Sequence, residues 1–171
     1  NEVKTALCNF CLKSGILCPK CSKKVKTGEI SEADLKIARL LLSLENENPS
    51  LQDVYFHKAV EANDLLALIV ERGDMSRLLG QGRKIVRALE EKMGKTIRVL
   101  EHGVDERKFL EDLFAPLSII TINTIWLPDG TTETRAILKK TGRRPPPIKV
   151  EALKEIAKKV RGITLRVEFA S

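Results

Sequence analysis

Aromatic side chains are scarce in this 171-residue chain: Phe, Tyr and Trp make up 4% of it, with a single Trp and a single Tyr. A binding surface built from a row of stacked aromatic platforms is therefore excluded as the main design. Histidine is rarer still, at two. His57 falls in a strand-like run and His102 beside Gly103, with no serine or cysteine nucleophile paired to either, so acid–base and triad chemistry find no footing. No apolar run reaches membrane length, and signal-peptide and lipidation patterns are missing, so the expectation is a cytoplasmic protein. The phosphate loop of nucleotide enzymes, with its longer glycine pattern and Lys followed by Ser or Thr, is missing too. These gaps argue against an enzyme and against a small-molecule substrate.

Cysteine is confined to one short stretch: Cys8 and Cys11 in CNFC, then Cys18 and Cys21 in CPKC, are the only four. Two CxxC pairs suit a tetrahedral metal site, because each two-residue gap lets a tight turn present both sulfurs to one ion while backbone N–H groups soften the thiolate charge. One structural Zn2+ is the expected occupant. Four thiolates fill its coordination sphere, so the metal folds a compact knuckle and performs no chemistry. Two disulfides, or iron in place of zinc, are the alternatives, and a redox or metal sensor using these thiols is a third reading.

The formal charge is +7, and its placement says more than its size. Between Glu2 and Glu29 stand six lysines and no acid, and between Glu133 and Glu151 six basic residues and no acid, Arg143 and Arg144 among them. From Arg77 to Arg87 all four charges are positive. A solvated basic face explains any one island; three suggest a polyanionic partner.

Periodicity gives the chain its organisation. Ser31 is a candidate N-cap for a helix carrying Leu35, Ala38, Leu41 and Leu42 at helical spacing and stopping near Pro49. DVYFHKAVEA and DLLALIVERG read as two strands joined around Asn63 and Asp64. A short helix capped by Asp74 follows, then a break at Gly80 and Gly82, a longer helix closing at Gly94, and the strand TIRVLE. A shift of 68 residues lays GKTIRV at Gly94 on GITLRV at Gly162, with Leu153 to Arg161 falling on the helix Ile85 to Met93. In that second half Pro116 shadows Pro49, and Pro128, Asp129 and Gly130 make a hairpin turn beside Trp126, which is expected to pack. The expected fold class is α+β, with a duplicated unit.

The sequence LLGQGRKIVRALEEKMGKTIRVLE carries the binding chemistry. A helix that ends in a glycine turn and restarts at once offers helix termini and unobstructed N–H groups to phosphate, where any Cβ would intrude. Arg83, Lys84, Arg87 and Arg98 are the electrostatic walls, and Ile85, Val86 and the strand Ile97 to Val99 are expected to form a shallow apolar floor for bases.

This layout, with Leu79, Gly80, Gln81, Gly82, Arg83 and Lys84 at the loop, resembles the prokaryotic KH RNA-binding domain, and with the four-cysteine knuckle in front the chain resembles archaeal NusA-like KH proteins. The resemblance implies a zinc knuckle over 1–30, a first KH domain over 31–101 and a second, degenerate KH domain over 102–171. It further implies a non-enzymatic binder of single-stranded RNA acting in transcription elongation or termination, with Gly80, Gln81, Gly82, Arg83, Lys84, Arg87 and Arg98 as contacts. Two departures stand out. The loop reads GQGR, with Arg83 where the family has glycine, and the second unit has TGRRPPPIK where its loop should be; three prolines cannot continue a helix. Arg143 and Arg144 there remain candidate RNA contacts. The alternative is an adaptor docking on RNA polymerase or the ribosome through its KH folds and basic surfaces.

Overall fold

In the computed structural model, which describes residues 2–140 and 149–170, the chain is mixed α+β with two three-stranded sheets. It divides into two compact units: Asn1–Glu61 with Leu66–Gly103, and Ala62–Leu65 with Val104–Ser171. The TGRRPPPI segment, with Arg143 and Arg144, lies outside the described residues.

The first unit opens with two short helices, α1 (Asn9–Ser14) and α2 (Pro19–Lys26), followed by α3 (Glu32–Glu45). Ser31 caps α3 as its sequence suggests. Its hydroxyl accepts from Asp34 N–H at 3.0 Å while Asp34 Oδ2 accepts from Ser31 N–H at 2.8 Å, a reciprocal capping box. Ile37, Ala38 and Leu41 then fall on one face and are buried. A 3-10 turn at Pro49–Leu51 leads to β1 (Phe56–Ala62) and β2 (Leu65–Val70). After α4 (Met75–Met93) the chain returns as β3 (Thr96–Glu101), giving the sheet order β1-β2-β3. Every residue of β2 is buried, as an apolar run in a central strand requires.

One hydrophobic cluster runs from the cysteine segment into this sheet. Val3, Leu7, Cys11, Leu12, Cys21 and Ile30 share it with Ile37, Leu41, Phe56, Leu66 and Leu89. Polar ties reinforce it: Lys4 and Val54 pair through main-chain atoms at 2.8 Å, Val3 N–H donates to Glu45 Oε1 at 3.2 Å, and Arg39 donates to Gly15 O at 3.1 Å.

Asp74 stands at the N-cap of α4 but does not cap it. Its backbone is already helical (φ −88°, ψ −13°), whereas a capping carboxylate needs extended backbone to fold back onto the first turn. Asp74 Oδ2 accepts instead from Tyr55 N–H at 2.9 Å, and Glu101 Oε2, from the end of β3, accepts from Gly73 and Met75 N–H at 2.7 and 3.3 Å.

The second unit repeats the element order: α5 (Glu106–Phe114), β4 (Ile119–Trp126), β5 (Thr132–Lys139), α6 (Val150–Arg161) and β6 (Leu165–Ala170). β5 is central, antiparallel to β4 and parallel to β6. Asp129 Oδ1 accepts from Thr131 N–H and Oγ1 at 3.0 and 2.6 Å, and Gly130 takes φ 87°, building the expected turn. The 68-residue shift also matches two helix ends: α4 closes on Gly94 (φ 67°) and α6 on Gly162 (φ 68°), both left-handed.

Candidate metal centre and nucleic-acid interface

The four cysteines meet in space. Cys8 and Cys18 are the N-cap residues of α1 and α2, and Cys11 and Cys21 sit three residues further on, inside each helix. Each CxxC pair thus straddles a helix N-terminus, where unpaired N–H groups and the helix dipole favour negative charge. Cys18 N–H donates to Cys11 Sγ at 3.1 Å and Cys21 N–H to Cys18 Sγ at 3.5 Å. The N–H of Cys21, joined by the neighbouring thiols, brings the Cys18 thiol down to about 6; the N–H of Cys11 likewise lowers Cys8. All four Sγ atoms lie within 4.8 Å of one another. A tetrahedron with Zn–S bonds of ~2.3 Å has edges of about 3.8 Å, so the cluster fits a metal of that kind. Cys11 and Cys21 are buried, Cys18 is half-buried and Cys8 faces solvent.

The glycine loop interrupts α4. Gly80 is extended (φ −69°, ψ 173°), and Gln81, Gly82 and Arg83 are all left-handed, at φ 54°, 67° and 62°. Three successive left-handed residues cannot propagate a right-handed helix, so the chain stops and restarts at Lys84 with new unpaired N–H groups. Gly80, Gln81, Gly82, Arg83, Lys84 and Arg87 are all exposed. The structure therefore brings these six together on one surface, with three positive charges among them.

Gly80 is informative because the fold does not ask for it. Its φ suits any residue, and an added Cβ would meet nothing within 4 Å. Gly82 needs its left-handed backbone, but Gly80 leaves open space in front of the main chain. Gln81 and Arg83 hold positive φ without being glycine, at roughly 1–2 kcal/mol each. Such outliers gather at functional sites.

Two expectations are corrected. Ile85, Val86, Ile97 and Val99 are each at most 4% exposed and belong to the central cluster, so they are core and not a floor open to bases. Their helical and alternating spacing faces inward because α4 packs on β3 through these side chains. Strand alternation also places half-buried Arg98 on the face opposite Ile97 and Val99, away from α4 and its loop. The second correction is Trp126, which is 76% exposed at the end of β4 and does not pack. Sequence reading also missed the pairing of the two histidines. His57 and His102 stack at 4.2 Å between ring centroids, and His57 Nε2 lies 3.3 Å from Glu71 Oε2. No local pattern announces a contact between residues so far apart in the chain.

The fold and these sites define a class: two α+β units of one element order, the first carrying a four-cysteine cluster and a basic, glycine-broken helix. No family model matches the chain. It has distant homology to archaeal NusA proteins. The probable transcription termination protein NusA of Methanocaldococcus jannaschii is 32% identical over 77 residues, covering 45% of this chain and 40% of that protein. Its counterpart in Methanococcus vannielii is 28% identical over 65 residues, covering 38% and 36%. The match thus spans about two-fifths of the length of these curated relatives. The crystal structure of APE1850 shares the fold at a TM-score of 0.51, over 77% of this chain and 96% of that one, with 19% identity. Among the described residues, no helix is long and apolar enough to cross a membrane.

Proposed function

We propose that the chain is a non-enzymatic, transcription-associated RNA-binding protein in which the residues 31–101 form a KH unit that holds single-stranded RNA against the Gly80–Arg83 loop. The observation that carries this reading is Gly80: an exposed glycine whose backbone suits any residue and whose missing Cβ would meet nothing within 4 Å, standing beside Arg83, Lys84 and Arg87. An RNA backbone would approach where the Cβ is missing, the freed N–H groups at the helix restart would meet phosphate, and the three cations would hold neighbouring phosphates. Gln81 would offer amide contacts. The residues 102–171 repeat the element order and form a second, degenerate KH unit, with Arg143 and Arg144 as additional contacts. The four cysteines bind one structural zinc, since four thiolates leave no open position for a substrate. Similarity to proteins described as probable transcription termination proteins supports the setting, and RNA polymerase or the ribosome would be the platform on which the chain docks.

The test is binding of short unstructured RNA, duplex RNA and duplex DNA across a salt series, for the parent and for Gly80→Asp. This variant is well placed because the Gly80 backbone suits any residue and the new Cβ would meet nothing within 4 Å. The parent should prefer single-stranded RNA, with a log–log salt slope of roughly −2 to −4, and the variant should lose it while keeping its fold and metal content. Unchanged binding by Gly80→Asp would make the loop structural and put the docking adaptor in its place.

A further inference from the structure

The four edge strands of the two sheets are not alike. β1 carries His57, Lys58 and Glu61, β3 carries Arg98 and Glu101, and β6 carries Arg166 and Glu168. β4, with the sequence IITINTIW, carries no charge and no proline over eight residues, and none of its residues is buried. Among the described residues it has β5 on one side and no strand on the other. Proteins ordinarily blunt such an edge with a lysine, a proline or a bulge, because its unpaired N–H and C=O groups will accept another strand. Among the described residues the only such device is a register shift between Ile119 and Thr121, at the far end from Trp126. The six residues from Thr121 to Trp126 remain a regular, β-branched, neutral edge.

We propose that β4 pairs antiparallel with β4 of a second copy of this chain, across a twofold axis at Thr124. In a continuous sheet, opposite residues must share a face, so the axis passes through a residue and the pairing runs in even sums. Register with β5 places Ile122, Thr124 and Trp126 on the face of buried Ala136, and Thr121, Asn123 and Ile125 on the other. Centring on Thr124 leaves the bulge outside the pairing. It sets Thr124 against Thr124 of the second copy, Ile122 against Trp126, and Asn123 against Ile125. Threonine pairs and aromatic with β-branched pairs are favourable across strands, and no charge meets its like although each copy is strongly positive. Nucleic acid fits this edge poorly for the same reason. The pairing also covers Trp126, at 76% the most exposed large apolar side chain among the described residues. One added strand buries less than the ~1,200 Å² of small stable interfaces, so the dimer should be concentration-dependent.

The chain's single tryptophan makes the experiment local. Molar mass and Trp126 emission are followed together over a concentration series of the metal-loaded full chain without nucleic acid, for the parent, Thr124→Lys and Thr124→Val. The mass should double and the emission move to the blue in step. Thr124→Lys, which sets two cations face to face, should remain single with emission unmoved, while Thr124→Val should still dimerise. A parent that stays single at its highest soluble concentration overturns the proposal. Doubling with unmoved Trp126 emission does so as well, and so does doubling that survives Thr124→Lys.

Discussion

Asp34 Oδ1 accepts a 2.6 Å hydrogen bond from the Ala59 N–H, fastening the first turn of α3 to the middle of β1. The same carboxylate closes the capping box on Ser31 through its other oxygen, and Asp34 is 7% exposed. A buried carboxylate that satisfies two main-chain donors is costly to remove, because both donors are orphaned together. Asp34→Ala should lower unfolding free energy by about 2–4 kcal/mol, combining lost capping with buried, unpaired N–H groups. Urea denaturation of the metal-loaded protein measures it, with Ser31→Ala as the comparison, expected to cost only about 1 kcal/mol because the tie to β1 survives.

Arg83 holds a left-handed backbone that glycine adopts freely, so stability and binding should move apart when it is replaced. Arg83→Gly relieves roughly 1–2 kcal/mol of strain and returns about 0.5–1 kcal/mol as chain entropy, leaving stability equal or slightly higher. Single-stranded RNA affinity should fall, with the magnitude of the salt slope reduced by about 1 for one lost phosphate contact. A variant that is less stable yet binds as tightly would reverse both expectations.

How much of this was readable before the structure depends on how far each interaction reaches along the chain. The Ser31 cap and the Gly94 and Gly162 helix ends are set by residues within one or two turns of each other, and the cysteine cluster by two CxxC pairs seven residues apart, so their spacing carries the signal. Asp34 illustrates the limit: the capping box is local, but its bond to Ala59 crosses 25 residues and has no pattern. Asp74 misleads for the same reason, since Glu101 supplies the helix end from another strand. Ile85 and Val86 show a different ambiguity. An apolar pair at helical spacing reads equally as core or as an exposed floor, and only the packing of α4 on β3 decides between them. Trp126 inverts the usual odds because the face it shares with Ala136 extends past the buried part of the sheet.

Gly94 and Gly162 end α4 and α6 in nearly the same geometry, and nothing lies within 4 Å of where a Cβ would stand at either. The cost of alanine there is therefore conformational alone. Gly94→Ala and Gly162→Ala should each destabilise their own unit by roughly 1–2 kcal/mol, equal within error. Hydrogen exchange, read separately over residues 66–103 and 104–170, checks both the size and the equality; a large difference would mean that the two caps are not equivalent.

The cysteine cluster is continuous with the core of the first unit, so metal removal should be felt beyond α1 and α2. Chelation should lower the first unit's thermal stability and expose Cys11 and Cys21 to thiol reagents, while amides of β4 to β6 stay protected. In the metal-free chain the pH dependence has a definite sign. Cys18 sits at about 6 and Cys8 is also lowered, both against an ordinary value of 9.0, so each contributes stability that is present above about 9 and lost as pH falls through its folded value, which for Cys18 is about 6. Cys11, raised to about 12 because burial and the surrounding thiols outweigh the Cys18 N–H, opposes this only above about 9. The metal-free melting temperature should therefore rise from pH 6 to pH 9 over and above the change in a variant with all four cysteines replaced by serine. With metal bound, protons must compete with the ion for the same thiolates, so metal release should need a lower pH than thiolate protonation does in the metal-free chain. Calorimetry and a zinc-release indicator across that range would decide it: a melting temperature that falls from pH 6 to 9 would mean that the N–H groups at the two helix ends do not stabilise these thiolates.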